Sequence, residues 1–113
     1  MGLTTFVWAI RGEMLSEDYE QVNQYVLQLI KEERITDIVI SNVEGVIINA
    51  SNKKMEKTPF EDKFDKQYLT AENTAVVKQT DGTLHLVAPI MSFNSKIGTV
   101  VMVYHPETFK KEE

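Results

Sequence analysis

The chain contains no cysteine. That excludes a disulfide framework, a thiolate metal site and a cysteine nucleophile, and it leaves the redox compartment open. No apolar run approaches the roughly 20 residues that a membrane-spanning helix needs. The opening MGLTTFVWAIRG is too short and wrongly flanked for a signal peptide, and Phe6 stands where a myristoylation site wants Ser or Thr. Positive charge is scarce as well: 12 Lys and Arg against 17 Asp and Glu leave a net charge of −5. A nucleic-acid binder needs a basic patch to displace counterions, so nucleic acid is excluded as a partner. The chain also lacks a Ser-His-acid arrangement, a glycine-rich phosphate loop and paired carboxylates framed by apolar strands. The reading is therefore not an enzyme, with no cofactor and no metal.

What is present suits one domain over residues 1–113, 42% hydrophobic and 26% charged. Residues 1–15 read as a helical N-terminal extension and 105–113 as a polar tail. Ser16, followed by Glu17 and Asp18, has the chemistry of a helix start: a capping oxygen, then acids on the positive dipole end. Tyr19, Val22, Val26, Leu29 and Ile30 then recur at helical spacing to about Glu33. Phe6, Val7, Ile10 and Met14 extend the pattern backward, against a cost of up to ~1 kcal/mol at Gly12. Leu15, Tyr19, Val22, Val26 and Leu29 alternate steps of four and three, as a coiled-coil seam does; the face either lies on the sheet alone or in part also meets a partner helix, which would make a homodimer through the N-terminal helix.

Five strands follow. ITDIVISN (35–42) and GVIINAS (45–51) are β-branched runs joined through Val43-Glu44-Gly45, where Gly45 supplies a positive φ. Residues 52–72 are polar; Pro59 starts a short helical stretch with Phe60, Phe64 and Tyr68 at i, i+4 and i+8. NTAVVKQ (73–79), TLHLVAPIMS (83–92) and KIGTVVMVY (96–104) complete the set, with Asp81-Gly82 as a two-residue turn. The last strand is apolar on both faces and therefore sits in the middle of the sheet. Pro89 cannot donate to a ladder, so it belongs at a bulge or just past the end of one. Gly98 marks a close backbone approach. His85 and His105 share a face of the last hairpin, opposed or one diagonal step apart.

Three stretches resemble the single Cache domain, a PAS-like sensor module found outside the membrane in bacterial chemoreceptors and histidine kinases. They are DYEQVNQYVLQLI, ITDIVISNVEGVIINAS and LVAPIMSFNSKIGTVVMVY, and the matching positions are Gly45, Ala50, Pro89, Ile90, Ile97 and Gly98. The resemblance implies an α+β, PAS-like fold: a five-stranded antiparallel sheet in order 2-1-5-4-3. It implies one long N-terminal helix on one face and a short helix and loop crossover on the other, enclosing a small pocket. It also implies a signal-transduction sensor that binds a small ligand and relays the change through the N-terminal helix. Members that clamp carboxylates use arginine and histidine; Arg11 and Arg34, the only arginines here, both belong to the first helix.

Polar residues in apolar strands locate the face that would hold a ligand. Asp37, Ser41, Asn49, His85 and Thr99 alternate with Ile38, Ile40, Ile48, Leu84 and Leu86, so the mixed face looks toward the crossover. Asn49, Tyr68, His85 and Thr99 are the expected ligand-binding residues. Asn49-Ala50-Ser51 also matches a glycosylation sequon, read as coincidence. The rival reading is a non-sensing homodimeric interaction scaffold of roadblock type, which requires a long helix where Pro59 interrupts the chain. A complete chain of this kind would be cytoplasmic; a domain excised from a receptor would lie on the extracytoplasmic side of the inner membrane and meet the membrane at its ends.

Overall fold

The computed structural model describes residues 3–106. The tail assigned to 105–113 lies outside them from residue 107 onward. The elements run α1 (Leu3–Leu15), α2 (Tyr19–Leu29), β1 (Ile35–Asn42), β2 (Ile47–Ala50), three 3-10 turns (Lys53–Met55, Phe60–Asp62, Lys66–Thr70), β3 (Ala75–Lys78), β4 (Leu84–Ser92) and β5 (Ser95–Tyr104). The strands form one antiparallel sheet in the order β2-β1-β5-β4-β3, as the resemblance implied.

The single long helix is corrected to two. Ser16 closes α1 rather than opening α2, because its Oγ donates back to the Gly12 carbonyl at 2.9 Å. Glu17 then takes a left-handed φ of 58°, which reverses the chain. Asp18 is the true cap of α2, its carboxylate accepting from the Gln21 N–H at 3.2 Å. A hydroxyl can serve either helix end, and only the fold decides which end is within reach.

Both helices lie on one face of the sheet. Phe6, Ile10 and Met14 of α1 and Val22, Val26 and Leu29 of α2 are buried together with Ile38 and Ile40 of β1, Ile90 of β4, and Val100 and Met102 of β5. This corrects the dimer seam. Val22, Val26 and Leu29 are spent in the chain's own core, and of the five seam residues only Leu15 and Tyr19 remain exposed. On the other face, Val39, Ile47, Ala50, Val87 and Val101 bury Phe60 beneath the crossover. That crossover is three separate 3-10 turns instead of a short helix. Asn52 and Asp65 restart the chain as side-chain caps, and Lys57 adopts a φ of 70°. Phe60, Phe64 and Tyr68 still form one aromatic cluster, with neighbouring centroids 5.4 to 6.4 Å apart.

The hairpin details follow from local chemistry. Gly45 carries a φ of 82° in a loop that Asn42 organises by accepting from the Glu44 and Val46 N–H groups. Asp81 is not left-handed; only Gly82 is, at φ 94°, and the Gln79 N–H donates to the Thr83 carbonyl at 2.8 Å. The β3–β4 connection is therefore a three-residue loop with a glycine bulge, not the expected two-residue turn, which in its Asp-Gly (type I′) form requires both central residues at positive φ. Pro89 sits two residues past the last β3–β4 pair, Ala75 with Val87, and beside a bulge at Ile90/Met91.

Candidate functional site

Of the four residues expected to form a pocket, the fold brings two together. Tyr68 comes from the third 3-10 turn of the crossover, and His85 stands on β4 facing it. The phenol oxygen lies 2.8 Å from His85 Nδ1. Burial pushes the His85 imidazolium pKa down, against a smaller upward pull from Asp81, so the ring is neutral at neutral pH. Burial also raises the Tyr68 phenol, which keeps its proton. Both groups are neutral, and the imidazole tautomer sets which of them donates in this bond. The phenol oxygen in turn accepts from Gln79 Nε2 at 3.5 Å. The histidine ring is held edge-on by Phe64 and Tyr68, at centroid distances of 5.4 and 5.8 Å.

Two open clefts flank this imidazole. One, of about 480 Å³, is lined by Phe64, Asp65, Tyr68, Val77, Gln79 and His85 among others. The second, of about 390 Å³, includes Asp37, Met55, Asp81, Thr83, His85 and His105. Burial raises the Asp37 carboxyl pKa above its ordinary value, partly offset by His105. His85 pairs with Val103, which puts His105 one diagonal step away. Among the described residues no group of three or more His, Cys, Asp or Glu has the placement to hold a metal ion.

Thr99 and Asn49 lie elsewhere. Thr99 is 1% exposed and pairs with Ser41 and Pro89, four residues along β5 from the partner of His85, or roughly 13 Å at strand rise. Asn49 does not face the crossover. A bulge between Ile40 and Ser41 slips the register, so Asn49 pairs with Ile40 and joins the helix face. There its Nδ2 donates to the Tyr19 carbonyl at 3.3 Å, while its buried Oδ1 has no partner among the described residues. At 4% exposure the sequon asparagine is out of reach of any modifying enzyme in the folded state. Where an enclosed PAS-like cavity was expected, the Phe60 ring fills the space. Gln79 and Phe64, which complete the surroundings of His85, were not among the expected ligand residues. Their signals were the hairpin position of Gln79 and the aromatic stripe that contains Phe64.

The histidine makes stability depend on pH with a definite sign. Its folded pKa is depressed below 6.5, so on acidification the unfolded chain takes up this proton first. The stability associated with the neutral ring is complete above that value and is lost as the pH falls through the folded pKa. Asp37, with a raised pKa, acts with the opposite sign and contributes stability at low pH that is lost as the pH rises through its folded value. We expect the urea midpoint of the wild type to fall between about pH 7.5 and about pH 5, and His85→Phe to remove part of that fall. An equal fall in the variant would place the titrating group elsewhere.

No family model matches the chain, and no curated protein matches it. Among solved structures, the chain is similar to an extracellular ligand binding receptor from Desulfohalobium retbaense, with a TM-score of 0.57 at 15% identity. The match covers 96% of this chain and 25% of the receptor chain, so the likeness spans about a quarter of that protein. At this identity the shared property is the fold alone, which in this chain is a five-stranded antiparallel sheet in order 2-1-5-4-3 with two helices on one face.

Proposed function

We propose that the chain is one PAS-like sensor domain of single Cache type, a binding module and not an enzyme, which takes a small polar molecule at the Tyr68–His85 lip. The observation that carries this reading is the Gln79–Tyr68–His85 hydrogen-bonded chain, set between two clefts and drawn from the end of β3, the crossover and β4. A ligand that bonds to His85 or Tyr68 competes with their mutual bond, so occupancy changes how the crossover is tied to the sheet. The fold-mate's description as a ligand-binding receptor supports the same class. The roadblock alternative has no observation in its favour, because 3-10 turns occupy the segment where its long helix would run. No helix among the described residues is long and apolar enough to cross a membrane. As part of a receptor, the domain would work on the extracytoplasmic side of a bacterial membrane.

A contiguous route leads from the lip to the N-terminal helix. The carbonyls of Leu69 and Ala71, adjoining Tyr68, accept from Lys96 Nζ at 2.6 and 2.7 Å. Lys96 is the second residue of β5, and two residues on, Gly98 lies beneath Met14 of α1, whose Cε a Cβ there would meet at 3.1 Å. This chain of contacts supports a relay in which movement of the crossover reaches α1 through one lysine and one strand.

The test is a thermal-shift screen against amino acids, small organic acids, amines and purines. A ligand at about 100 times its Kd stabilises the fold by about 2.7 kcal/mol. A hit is expected to vanish in His85→Ala and weaken in Tyr68→Phe. In Lys96→Met it should still bind, yet no longer change amide-exchange protection in α1. A hit unaffected by both lip variants would put the site elsewhere, and a panel without hits would favour a module that binds only protein.

A further inference from the structure

The two edges of the sheet are treated differently by the chain. On the β2 side, the crossover pairs with the edge. The Ile47 N–H donates to the Thr58 carbonyl at 2.9 Å, Lys57 N–H to the Ile47 carbonyl at 2.7 Å, and Phe60 N–H to the Gly45 carbonyl at 2.8 Å. The Ala50 N–H is taken by the Glu56 carboxylate. No such cover is found at β3 among the described residues. The Gln79 N–H points inward to Thr83. In an antiparallel ladder bonding direction alternates, so Val77 and Ala75 also bond inward while the N–H and C=O groups of Val76 and Lys78 point outward. Val76 is in addition 60% exposed. It belongs by register to the helix face, since it pairs with Leu86 and Leu86 with Met102. The helices cover β1, β5 and part of β4, and leave it bare.

The geometry points to β3 as a docking edge for a second copy of this chain, paired antiparallel about a twofold axis at Val76. Outward backbone groups that otherwise face water are a template for another extended strand, which fixes the chemistry of the partner. Three features of the edge are self-complementary. Val76 would oppose Val76 of the second copy, so each covers the other's exposed side chain. Lys78 would oppose Thr74, so the two ammonium groups do not meet across the axis. Glu72 precedes the edge and Lys78 ends it, so antiparallel pairing brings the acidic end of one copy beside the basic end of the other, as an isologous contact requires. The inward-bonding residues Ala75 and Val77 keep their β4 bonds throughout, so the ladder within each copy is undisturbed. The result is a continuous ten-stranded sheet. The shared edge is short and buries less than a standard interface, which makes the dimer weak and concentration-dependent. It is independent of ligand binding at the Tyr68–His85 lip.

Sedimentation velocity from micromolar to millimolar protein tests this, with two charged variants at the exposed position. Wild type is expected to shift toward twice the chain mass at the high end. Val76→Glu and Val76→Lys should each stay monomeric with unchanged melting, because like charges directly opposite repel. An equimolar mixture of the two variants should dimerise again, since opposite charges then face each other across the axis. A wild type that stays monomeric throughout overturns the proposal and leaves the edge to another protein's strand. Dimerisation of either single variant as tightly as wild type overturns it in favour of a different surface. A mixture that fails to restore a dimer the wild type forms overturns the Val76-centred register.

Discussion

Gly98→Val is expected to lower the unfolding free energy by about 3 kcal/mol, at the upper end of the usual cost of overpacking. A Cβ at position 98 would stand 2.6 Å from the Ser41 carbonyl oxygen, 3.1 Å from Met14 Cε and 3.4 Å from Ile90 Cδ1. Met14 is a flexible end that can turn aside. The Ser41 oxygen is backbone in the β1–β5 ladder, where Ser41 pairs with Thr99, and it moves only if the strands separate. Because Cβ itself makes the clash, Gly98→Ala should carry most of the loss and the two further methyls of valine the rest. The measurement is the urea midpoint at unchanged m-value. Gly12 is the control: a Cβ there meets nothing within 4 Å, so Gly12→Ala should gain up to about 1 kcal/mol from helix propensity. A Gly98→Ala protein as stable as wild type would mean that the ladder yields at no cost and that the glycine has no packing role.

The second large effect is expected at Phe60. Its ring is fully buried where the crossover closes on Val39, Ile47, Val87 and Val101. Truncation to alanine leaves a void that the sheet cannot collapse into, because strand spacing is held by backbone hydrogen bonds. The cost is about 3–5 kcal/mol, a large part of the roughly 5–15 kcal/mol that holds a domain together. At about 4–8 °C per kcal/mol for a domain of this size, melting should drop by well over 10 °C. The void would also be apolar and dry, so benzene or xenon should restore part of the lost stability. Phe64, only half-buried, should cost clearly less on the same change. A loss at Phe60 below about 1 kcal/mol would show that the crossover is not part of the core.

These two residues also mark how far the sequence could be read. Gly98 and Pro89 looked wrong for strand interiors; Pro89 proves to stand where a missing N–H costs nothing, and Gly98 where a Cβ does not fit. Pro89 falls beyond its ladder, and Gly98 lies against the Ser41 carbonyl. Phe60, Phe64 and Tyr68 read as one stripe and form one cluster, although the helix expected to align them is replaced by 3-10 turns. Tyr68 and His85 were both picked out and do meet. Asn49 was picked out by the same alternation and failed, because one extra residue in β2, opposite Ile40 and Ser41, put Asn49 on the other face from Ile47.

The sequence by itself determined what depends on local pattern and on residue types with narrow tolerances. Those are the strand set, the central place of a two-faced β5, the glycine of the first hairpin and the absence of thiol chemistry. The tertiary structure alone decided matters that turn on which groups come within reach of one another. Ser16 could cap either helix and found Gly12; Asp18 took the other end. Val22, Val26 and Leu29 could have faced a partner helix or the sheet, and the sheet was nearer. The space beneath the crossover could have held a ligand, and Phe60 occupies it. One edge could be sealed by the chain's own loop, and the other was left with its backbone groups facing out. Periodicity reports which face of an element is apolar; which apolar surface it meets is settled only when the chain closes on itself.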